Sequence, residues 1–419
     1  MDIYATIMLF IFILGYGCII LEHVLKIDKA TIAILTGVCC WVVQYASGAS
    51  TCETNASCLT HHISNIAQII FFLLGALAIV ELISIHKGFA IISNAMKVTS
   101  KCKLLWIMSG LSFVLSAILD NLTTTVVMIS LLKKLLDEGE DRLIIGGAVV
   151  IAANAGGAWT PIGDVTTTML WIGGQLTTIP IMRDLFLSSL ATVLVSAASL
   201  SLFLKGDLIP KKNIKGDKLE PKGELIFFLG IATLIFVPIF KLLTGLPPFM
   251  GVLFGFGVLW VVSDIVHAGH KDREHLRMIS TFSRIEFSGL FFFLGMLLAI
   301  NALESAGVLE NLAHWMTHHI GNTTIIATAI GLVSAIVDNV PLVAATMGMY
   351  TLEQYPPDHE FWQLIAFCAG TGGSILVIGS AAGVVFMGLE KVNFMWYVRR
   401  ISLAAALGYF VGIGVYLLI

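Results

Sequence analysis

Charged residues are scarce in this sequence of 419 residues: only 12% are Asp, Glu, Lys or Arg, whereas 57% are hydrophobic. Because soluble domains carry about 25% charged residues, this composition excludes an ordinary soluble protein. Apolar segments of roughly 20 residues recur from end to end, and each can cross a hydrocarbon core of about 30 Å. No stretch is left over for a soluble domain. The sequence therefore predicts an all-α membrane protein.

The motifs of soluble enzymes are missing as well. The chain contains no Walker phosphate-binding loop, no HExxH zinc motif and no GxSxG nucleophile motif. Their absence argues against an ATP-driven pump and against an enzyme. We expect no cofactor and no nucleic-acid partner, and we expect the lipid bilayer to be the main surroundings of the chain.

Lys and Arg are distributed unevenly, and this unevenness predicts an orientation. All but two of the 24 Lys and Arg residues lie in six segments between apolar runs, and only Arg183 and Lys241 lie elsewhere. We call the side of these segments the Lys/Arg-rich face; the segments are 26–29, 87–103, 133–142, 205–222, 271–284 and 391–400. The intervening loops, predicted at 48–65, 304–321 and 351–360, contain neither residue. Since cytoplasmic loops are enriched in Lys and Arg, both termini are predicted to lie outside.

Cysteine is also infrequent, with seven residues that lie mostly in apolar segments. Cys52 and Cys58 share a loop predicted to face outward, where an oxidising compartment would permit a disulfide bond. Two free thiols in that loop are the alternative. The first apolar run, 4–21, lacks the basic region and the cleavage site of a signal peptide, so we expect it to remain as the first helix.

The chain contains an internal repeat. Three short motifs recur in the same order, about 216 to 220 residues apart: FFLLG at 71–75 and FFFLG at 291–295, SAILDN at 116–121 and SAIVDN at 334–339, and paired glycines at 156–157 and 372–373. Such symmetry is common in transporters. We predict a first repeat at 1–204, a cytoplasmic linker at 205–222 and a second repeat at 223–419.

Each repeat is predicted to contribute five of about ten transmembrane helices, and the odd number requires the two repeats to be inverted. Each also contains a pair of short apolar arms, which fits a re-entrant hairpin better than two full crossings; the hairpins lie at about 104–136 and 323–351. A helix interrupted by glycine follows each hairpin, at about 143–176 and 361–390. Paired interruptions of this kind mark transport sites, because unwound backbone must line a cavity or be buried in protein.

Three aspartates lie within these predicted membrane segments, where a charge costs several kcal/mol and is a functional candidate by default. Asp120 and Asp338 occupy the hairpin tips, and Asp164 follows the first interrupted helix. The position that matches Asp164 in the second repeat is Ser380, so the predicted site is weighted toward the first half. No basic residue lies among the aspartates, so the site suits Na⁺, Li⁺ or H⁺ rather than an anion.

The other candidate ligands are amide and hydroxyl oxygens, which small hard cations prefer. The predicted ion- and proton-binding set is Asp120, Asn121, Thr123, Asn154, Asp164, Thr166, Thr167, Asp338, Asn339, Ser374 and Ser380. Within it, Na⁺ is assigned to Asp120, Asn121, Asn154, Asp164, Asp338 and Asn339. Glu81 is a candidate for a proton path or an interfacial position. The alternatives are that the tip aspartates cap helices, that Asn154 and the threonines satisfy broken backbone, and that the serines pack as small residues.

The motifs resemble those of NhaD-type Na⁺/H⁺ antiporters in the ion transporter superfamily, over essentially the whole chain. The residues that carry the resemblance are 116–123, 153–164, 334–341 and 372–374. In the related carboxylate symporters the hairpin tips carry Ser-Asn-Thr, whereas Asp120 and Asp338 stand at the Ser positions here. The resemblance implies a homodimer in a bacterial cytoplasmic (inner) membrane, in which a transport unit slides against a scaffold.

The leading hypothesis is thus a secondary transporter that exchanges Na⁺ or Li⁺ for H⁺ by alternating access. A Na⁺-coupled symporter of a small carboxylate or oxyanion is the alternative, in which the aspartates hold only coupling ions. A channel-like pore is a third hypothesis.

Overall fold

The computed structural model describes residues 3–20, 25–48, 55–95, 98, 100–204, 206 and 218–419. These residues form α-helices joined by turns and short 3₁₀ segments, and the described ranges contain no β-strand. The first part of the chain folds into α1 (Ile3–Ile20), α2 (Lys29–Ser47), α3 (Asn55–Ile85), α4 (Ala90–Ala95), α5 (Lys101–Leu119), α6 (Asn121–Leu135), α7 (Glu140–Gly157), α8 (Val165–Ile172) and α9 (Thr178–Ser201).

The second part repeats this succession of long helices, a hairpin and an interrupted helix. Its helices are α10 (Gly223–Thr244), α11 (Pro248–His267), α12 (Met278–Thr281), α13 (Phe287–Ser305), α14 (Val308–His319), α15 (Thr323–Val333), α16 (Asn339–Met349), α17 (Glu360–Gly372), α18 (Ala381–Glu390), α19 (Phe394–Arg400) and α20 (Ser402–Leu418).

The prediction of an all-α membrane protein is confirmed. Among the described residues, eight helices are long and apolar enough to cross a membrane, and the bent pair α19 and α20 makes up to nine. About ten crossings were predicted. The two interrupted helices are missing from this set for different reasons: α7 has 18 residues but begins with three charged ones, Glu140, Asp141 and Arg142, whereas α17 has only 13 residues. The hairpin arm α5 is included because it begins at Lys101 and has 19 residues.

The helices pack as two groups. In the first packing group, α2 packs against α13 and α1, while α3 packs against α11, α10 and α13. In the second packing group, α7 packs against α5, α6 and α9, α15 packs against α17, and α9 packs against α20. Also in this group, α18 packs against α6 and α7, while α8 and α16 pack against each other and against α17. The second packing group therefore contains both hairpins and both interrupted helices, and its α16 packs against α13 of the first group as well.

Two loop predictions were wrong in part. Residues 55–65 belong to α3, which has 31 residues, so the predicted loop at 48–65 is helical over much of its length. The predicted loop at 304–321 contains α14, whose apolar residues Val308, Leu309 and Ala313 are buried. In both places a polar segment without Lys or Arg suggested a loop. Such a segment can also be helical, because a helix can extend beyond its apolar span into polar residues.

Two other predictions fall partly outside the described residues. Cys58 is disulfide-bonded, but Cys52, its predicted partner, is not among the described residues. Most of the predicted linker at 205–222 is also outside them. At the end of that linker, the backbone N–H of Glu220 donates to His86 O (3.2 Å), and the Glu220 carboxylate pairs with Lys87 (2.6 Å). The division into inverted repeats stays a prediction.

Candidate functional site

The two hairpin tips are built differently although their sequences match. In the first hairpin Asp120 is the single residue between α5 and α6, and its backbone is in the left-handed region with φ 84°. In the second, α15 ends at Val333 and Asp338 is extended with φ −50°. The Asp338 backbone N–H donates to the Tyr16 hydroxyl at 2.8 Å. Tyr16 was not predicted, since a tyrosine inside an apolar span gives no sequence signal.

Both tip aspartates cap the helix that follows them. The Asp120 carboxylate accepts bonds from the Thr123 N–H (2.7 Å) and the Thr123 hydroxyl (3.0 Å). The Asp338 carboxylate accepts from the Val340 N–H at 3.1 Å. The capping alternative is therefore correct for the geometry, and it places each carboxylate at a helix N-terminus, where the helix dipole stabilises negative charge.

Asp164 lies at the centre of the site. It is 2% exposed and caps α8 by accepting the Thr166 N–H at 3.3 Å. Its Oδ2 accepts the side-chain amides of Asn121 and Asn339, each at 3.1 Å. One carboxylate oxygen is thus bonded by both hairpin tips.

Asn154 joins the two interrupted helices. Its side-chain amide donates to Ser374 Oγ (2.8 Å) and Ser380 Oγ (2.9 Å), and its Oδ1 accepts from Asn121 (3.0 Å). Asn154 is fully buried, so these bonds satisfy a side chain that would otherwise be costly to bury. Ser380 also caps α18 by accepting the Gly383 N–H at 3.2 Å. The serines therefore do more than pack.

The threonines after Asp164 mainly support the interrupted backbone. Thr167 Oγ1 donates to the Asp164 carbonyl at 2.9 Å and accepts the Asp164 N–H at 3.3 Å, forming a capping box. Thr166 supplies its backbone N–H to the Asp164 carboxylate. For Thr167, the alternative of satisfying broken backbone matches the geometry.

Paired glycines allow the interrupted helices to approach the hairpin arms. A Cβ at Gly156 would overlap the backbone of Phe113 in α5, and a Cβ at Gly372 would overlap the backbone of Gly331 in α15. Next to these contacts, Ser116 Oγ donates to Ala153 O (2.6 Å), and Ser334 Oγ donates to Ala369 O (2.8 Å). The same close packing therefore occurs in both halves of the chain.

The three aspartates line one cavity of about 80 Å³, together with Asn121 and Asn339. This volume has room for several water-sized molecules. Among the described residues, none that lines the cavity is Lys, Arg or His; α3 and α13 contribute apolar walls. Glu286, at the start of α13, is exposed and also lines the cavity. Glu286 follows the 271–284 segment, so the cavity reaches toward the Lys/Arg-rich face. The sequence had suggested only a charged loop near Glu286 and not a residue of the cavity lining.

The aspartates surround the cavity without forming a compact metal cluster. Within the described ranges, no group of three or more His, Cys, Asp or Glu side chains could hold one metal ion. A cation in this cavity would need one carboxylate and the amide, hydroxyl, backbone or water oxygens around it. Glu81 lies on α3 outside the cavity lining, and its electrostatic neighbour is Arg284. The structure therefore does not bring Glu81 into the site.

Comparison with known proteins gives consistent matches. A family model described as citrate transporter matches residues 7–362. The chain is 51% identical to sodium/proton antiporter 1 of Arabidopsis thaliana, over 98% of this chain and 72% of that protein. It is 48% identical to sodium/proton antiporter 2 of the same plant, over 98% of each. It is 30% identical to the Na⁺/H⁺ antiporter NhaD of Vibrio cholerae, over 98% of this chain and 91% of that protein.

Proposed function

Because the chain belongs to the NhaD-type Na⁺/H⁺ antiporters of the ion transporter superfamily, we propose that it exchanges Na⁺ or Li⁺ for H⁺ across a membrane by alternating access. The observation that carries this proposal is the convergence of both hairpin-tip amides on Asp164 Oδ2. A single carboxylate held in this way, in a cavity without a basic lining residue among those described, favours a small cation.

Exchange follows from competition for Asp164. A proton and a Na⁺ ion neutralise the same buried carboxylate, so occupancy by one excludes the other. Na⁺ requires oxygen ligands, whereas Asn121 and Asn339 now present N–H groups to Asp164. We infer that these amides turn so that their oxygens face an entering Na⁺, and that they return to donate to Asp164 when the ion leaves.

The other predicted site residues have supporting roles in this proposal. Asp120 and Asp338 line the same cavity while capping helices, so their charges attract a cation that Asp164 binds. Asn154, Ser374 and Ser380 hold the two interrupted helices together. Thr123 and Thr166 fix the carboxylates of Asp120 and Asp164 through hydrogen bonds, and Thr167 fixes the Asp164 backbone.

The symporter alternative has one point in its favour, since the matching family model is described as citrate transporter. A carboxylate substrate needs a cationic or multiply hydrogen-bonding partner. No described residue lining the cavity carries a positive charge, and the relatives with the highest identities quoted above are named antiporters. Both points favour cation exchange.

Everted membrane vesicles test the proposal. A proton gradient is first established and followed with a fluorescent probe, after which Na⁺, Li⁺ or citrate is added. We expect Na⁺ and Li⁺ to release the gradient and citrate to have no effect. Uptake of labelled citrate that depends on Na⁺, without gradient release by Na⁺ alone, would establish the symporter instead. Flux of Na⁺ that is independent of the proton gradient would indicate a channel.

The assembly and location are proposed on the resemblance alone. We infer a homodimer in which the second packing group, with its hairpins and interrupted helices, moves as a unit against the first. Cross-linking of the purified protein in lipid tests the dimer. The inner membrane of a bacterium is the proposed location, and because two relatives come from a plant, a plant membrane is the alternative. Microscopy of a tagged chain in the source cell distinguishes the two.

A further inference from the structure

Lys241 is an exception to the distribution of positive charge in this chain. It lies in the last turn of α10, which starts next to Lys222 on the Lys/Arg-rich face and ends on the opposite face. Lys241 and Arg183 are the two basic residues outside the Lys/Arg-rich segments. Arg183 is exposed and pairs with its neighbour Asp184 at 2.5 Å. Lys241 instead is partly buried and contacts the second packing group.

The contact of Lys241 is with Trp171, near the end of α8. Lys241 Nζ donates to Trp171 O at 2.9 Å and lies 4.4 Å from the centroid of its ring. The Trp171 side chain is fully buried, and its Nε1 donates to Thr178 Oγ1 at 3.1 Å. The ammonium therefore meets a fixed aromatic face and a carbonyl at a helix C-terminus, two positions that favour a cation.

This contact is mechanically connected to the central carboxylate. Asp164 caps the N-terminus of α8, and Trp171 lies at its other end. The helix has eight residues, so it is a rigid rod of about 12 Å at 1.5 Å per residue. Lys241 thus connects α10, in the first packing group, to the helix that positions Asp164.

The surrounding contacts show which face is open. On the Lys/Arg-rich face, a crevice of about 200 Å³ separates the end of α3 near Ser84 from α6 near Ser130. The matching positions in the second half are Glu304 in α13 and Gly348 in α16. There the two helices touch, because a Cβ at Gly348 would lie 3.1 Å from Glu304 Oε2. The interface is therefore open on the Lys/Arg-rich face and closed on the opposite face.

We propose that Lys241 is a positioning residue for ion exchange: by holding the Trp171 end of α8, it stabilises the conformation in which the Asp164 cavity opens toward the Lys/Arg-rich face. This inference rests on the proposed function, since alternating access requires a second conformation, and the proposal is that the contact between α10 and α8 is broken there. Lys241 touches no ion, and it acts on the equilibrium between the two conformations.

The test compares the half-saturating Na⁺ concentrations at the two faces, measured by exchange in right-side-out and everted vesicles. The apparent constant at each face is the intrinsic constant divided by the fraction of protein open to that face. The ratio of the two constants therefore reports the conformational equilibrium. For Lys241→Met, we expect the ratio of the Lys/Arg-rich face to the opposite face to rise roughly tenfold, from loss of a charged hydrogen bond and a cation–π contact.

Two further variants serve as controls. Lys241→Arg keeps the cation and should keep the ratio within about threefold of the wild type. Arg183→Gln removes the other basic residue of that face and should leave the ratio unchanged. An unchanged ratio in Lys241→Met would overturn the proposal. So would an equal change of both constants, because it would mean that Lys241 affects the ion site or the fold. If Lys241→Met does not fold, Lys241→Gln is measured in the same way.

Hydrogen–deuterium exchange of the purified protein tests Lys241 independently of transport. In Lys241→Met, residues 304–309 and 345–350 should exchange faster relative to residues 84–92 and 126–134, because the closed face opens more often. If the exchange rates of these two sets of residues keep the same ratio in Lys241→Met as in the wild type, the inference is contradicted, even if the wild type exchanges ions. If the wild type does not exchange Na⁺ for H⁺, the proposed function fails, while this measurement still decides the role of Lys241.

Discussion

Replacing Asn121 or Asn339 by Ala removes one of the two amides that donate to Asp164 Oδ2, each at 3.1 Å. A hydrogen bond to a charged group contributes about 1.5–3 kcal/mol. In the proposed Na⁺-bound state each amide offers its oxygen to the ion, so we expect the loss of that contact with a charge to raise the half-saturating Na⁺ concentration roughly tenfold to a hundredfold. Asn121→Ala should have the larger effect, because Asn121 also bonds Asn154 at 3.0 Å.

The double variant tests whether the two amides act on one oxygen. If they do, Asn121→Ala and Asn339→Ala together should differ from the sum of the single effects by about 0.5–3 kcal/mol, the range for residues that share a partner. The natural control is Asn311→Ala, since Asn311 is exposed and its side-chain amide donates to the Gly307 carbonyl, one turn earlier in the chain, at 2.8 Å. It should leave the Na⁺ dependence unchanged.

The assay is exchange in proteoliposomes over a range of Na⁺ concentrations, with folded protein quantified by gel filtration. Effects of less than twofold for both single variants would refute the account of Asp164. The account would also be refuted if the effect of the double variant equals the sum of the two single effects within about 0.3–0.5 kcal/mol, which is the scatter seen for independent sites. In either case the amides would be structural, and the ion site would have to lie elsewhere in the cavity.

Three further predictions concern packing and charge away from Asp164. Gly156→Ala should lower the thermal midpoint strongly because its Cβ would overlap backbone, whereas Gly110→Ala, with open space around it, should not. Arg142→Met should destabilise the fold by about 3–5 kcal/mol, because it leaves the buried Glu390 carboxylate without the partner that it contacts at 2.7 Å. Glu390→Leu in the same chain should restore most of the thermal midpoint. Burial lowers the pKa of His86, so stability should be retained above about pH 6.5 and lost as pH falls below it, where the unfolded chain takes up a proton. Because His86 Nε2 lies 2.9 Å from Nε2 of the buried His267, the control replaces both histidines by Gln, and a midpoint that falls equally with pH in that double variant would contradict this.

The hairpin tips and the interruptions could be predicted because their signals are local. Asp and Asn are costly to place inside apolar segments, so each is a candidate for a functional role. The paired glycines, together with Pro161 in the first half, predict breaks in the helices. The convergence of Asn121, Asn154 and Asn339 near Asp164 depends on tertiary packing, but the repeat already placed Asn121 and Asn339 at matching depths in the two halves.

Other features had no signal in the local sequence. Residues 116–119 are helical whereas the matching residues 334–337 form a turn, although their sequences are nearly identical, so tertiary contacts decide between the two conformations. One such contact is the bond from the Asp338 N–H to Tyr16, which is distant in sequence. Lys241 stood out only as an exception to the charge pattern, and its partner Trp171 resembled any other apolar residue.

The central claim is that Asp164 is the carboxylate for which Na⁺ and H⁺ compete, and Asp164→Asn tests it most directly. The variant keeps the size of the side chain and removes its charge. In proteoliposomes with an imposed proton gradient, we expect Na⁺ to release the gradient through the wild type and through Asp184→Asn, a control at an aspartate outside the cavity lining, but not through Asp164→Asn. Release by folded Asp164→Asn at the wild-type rate and Na⁺ dependence would contradict the account.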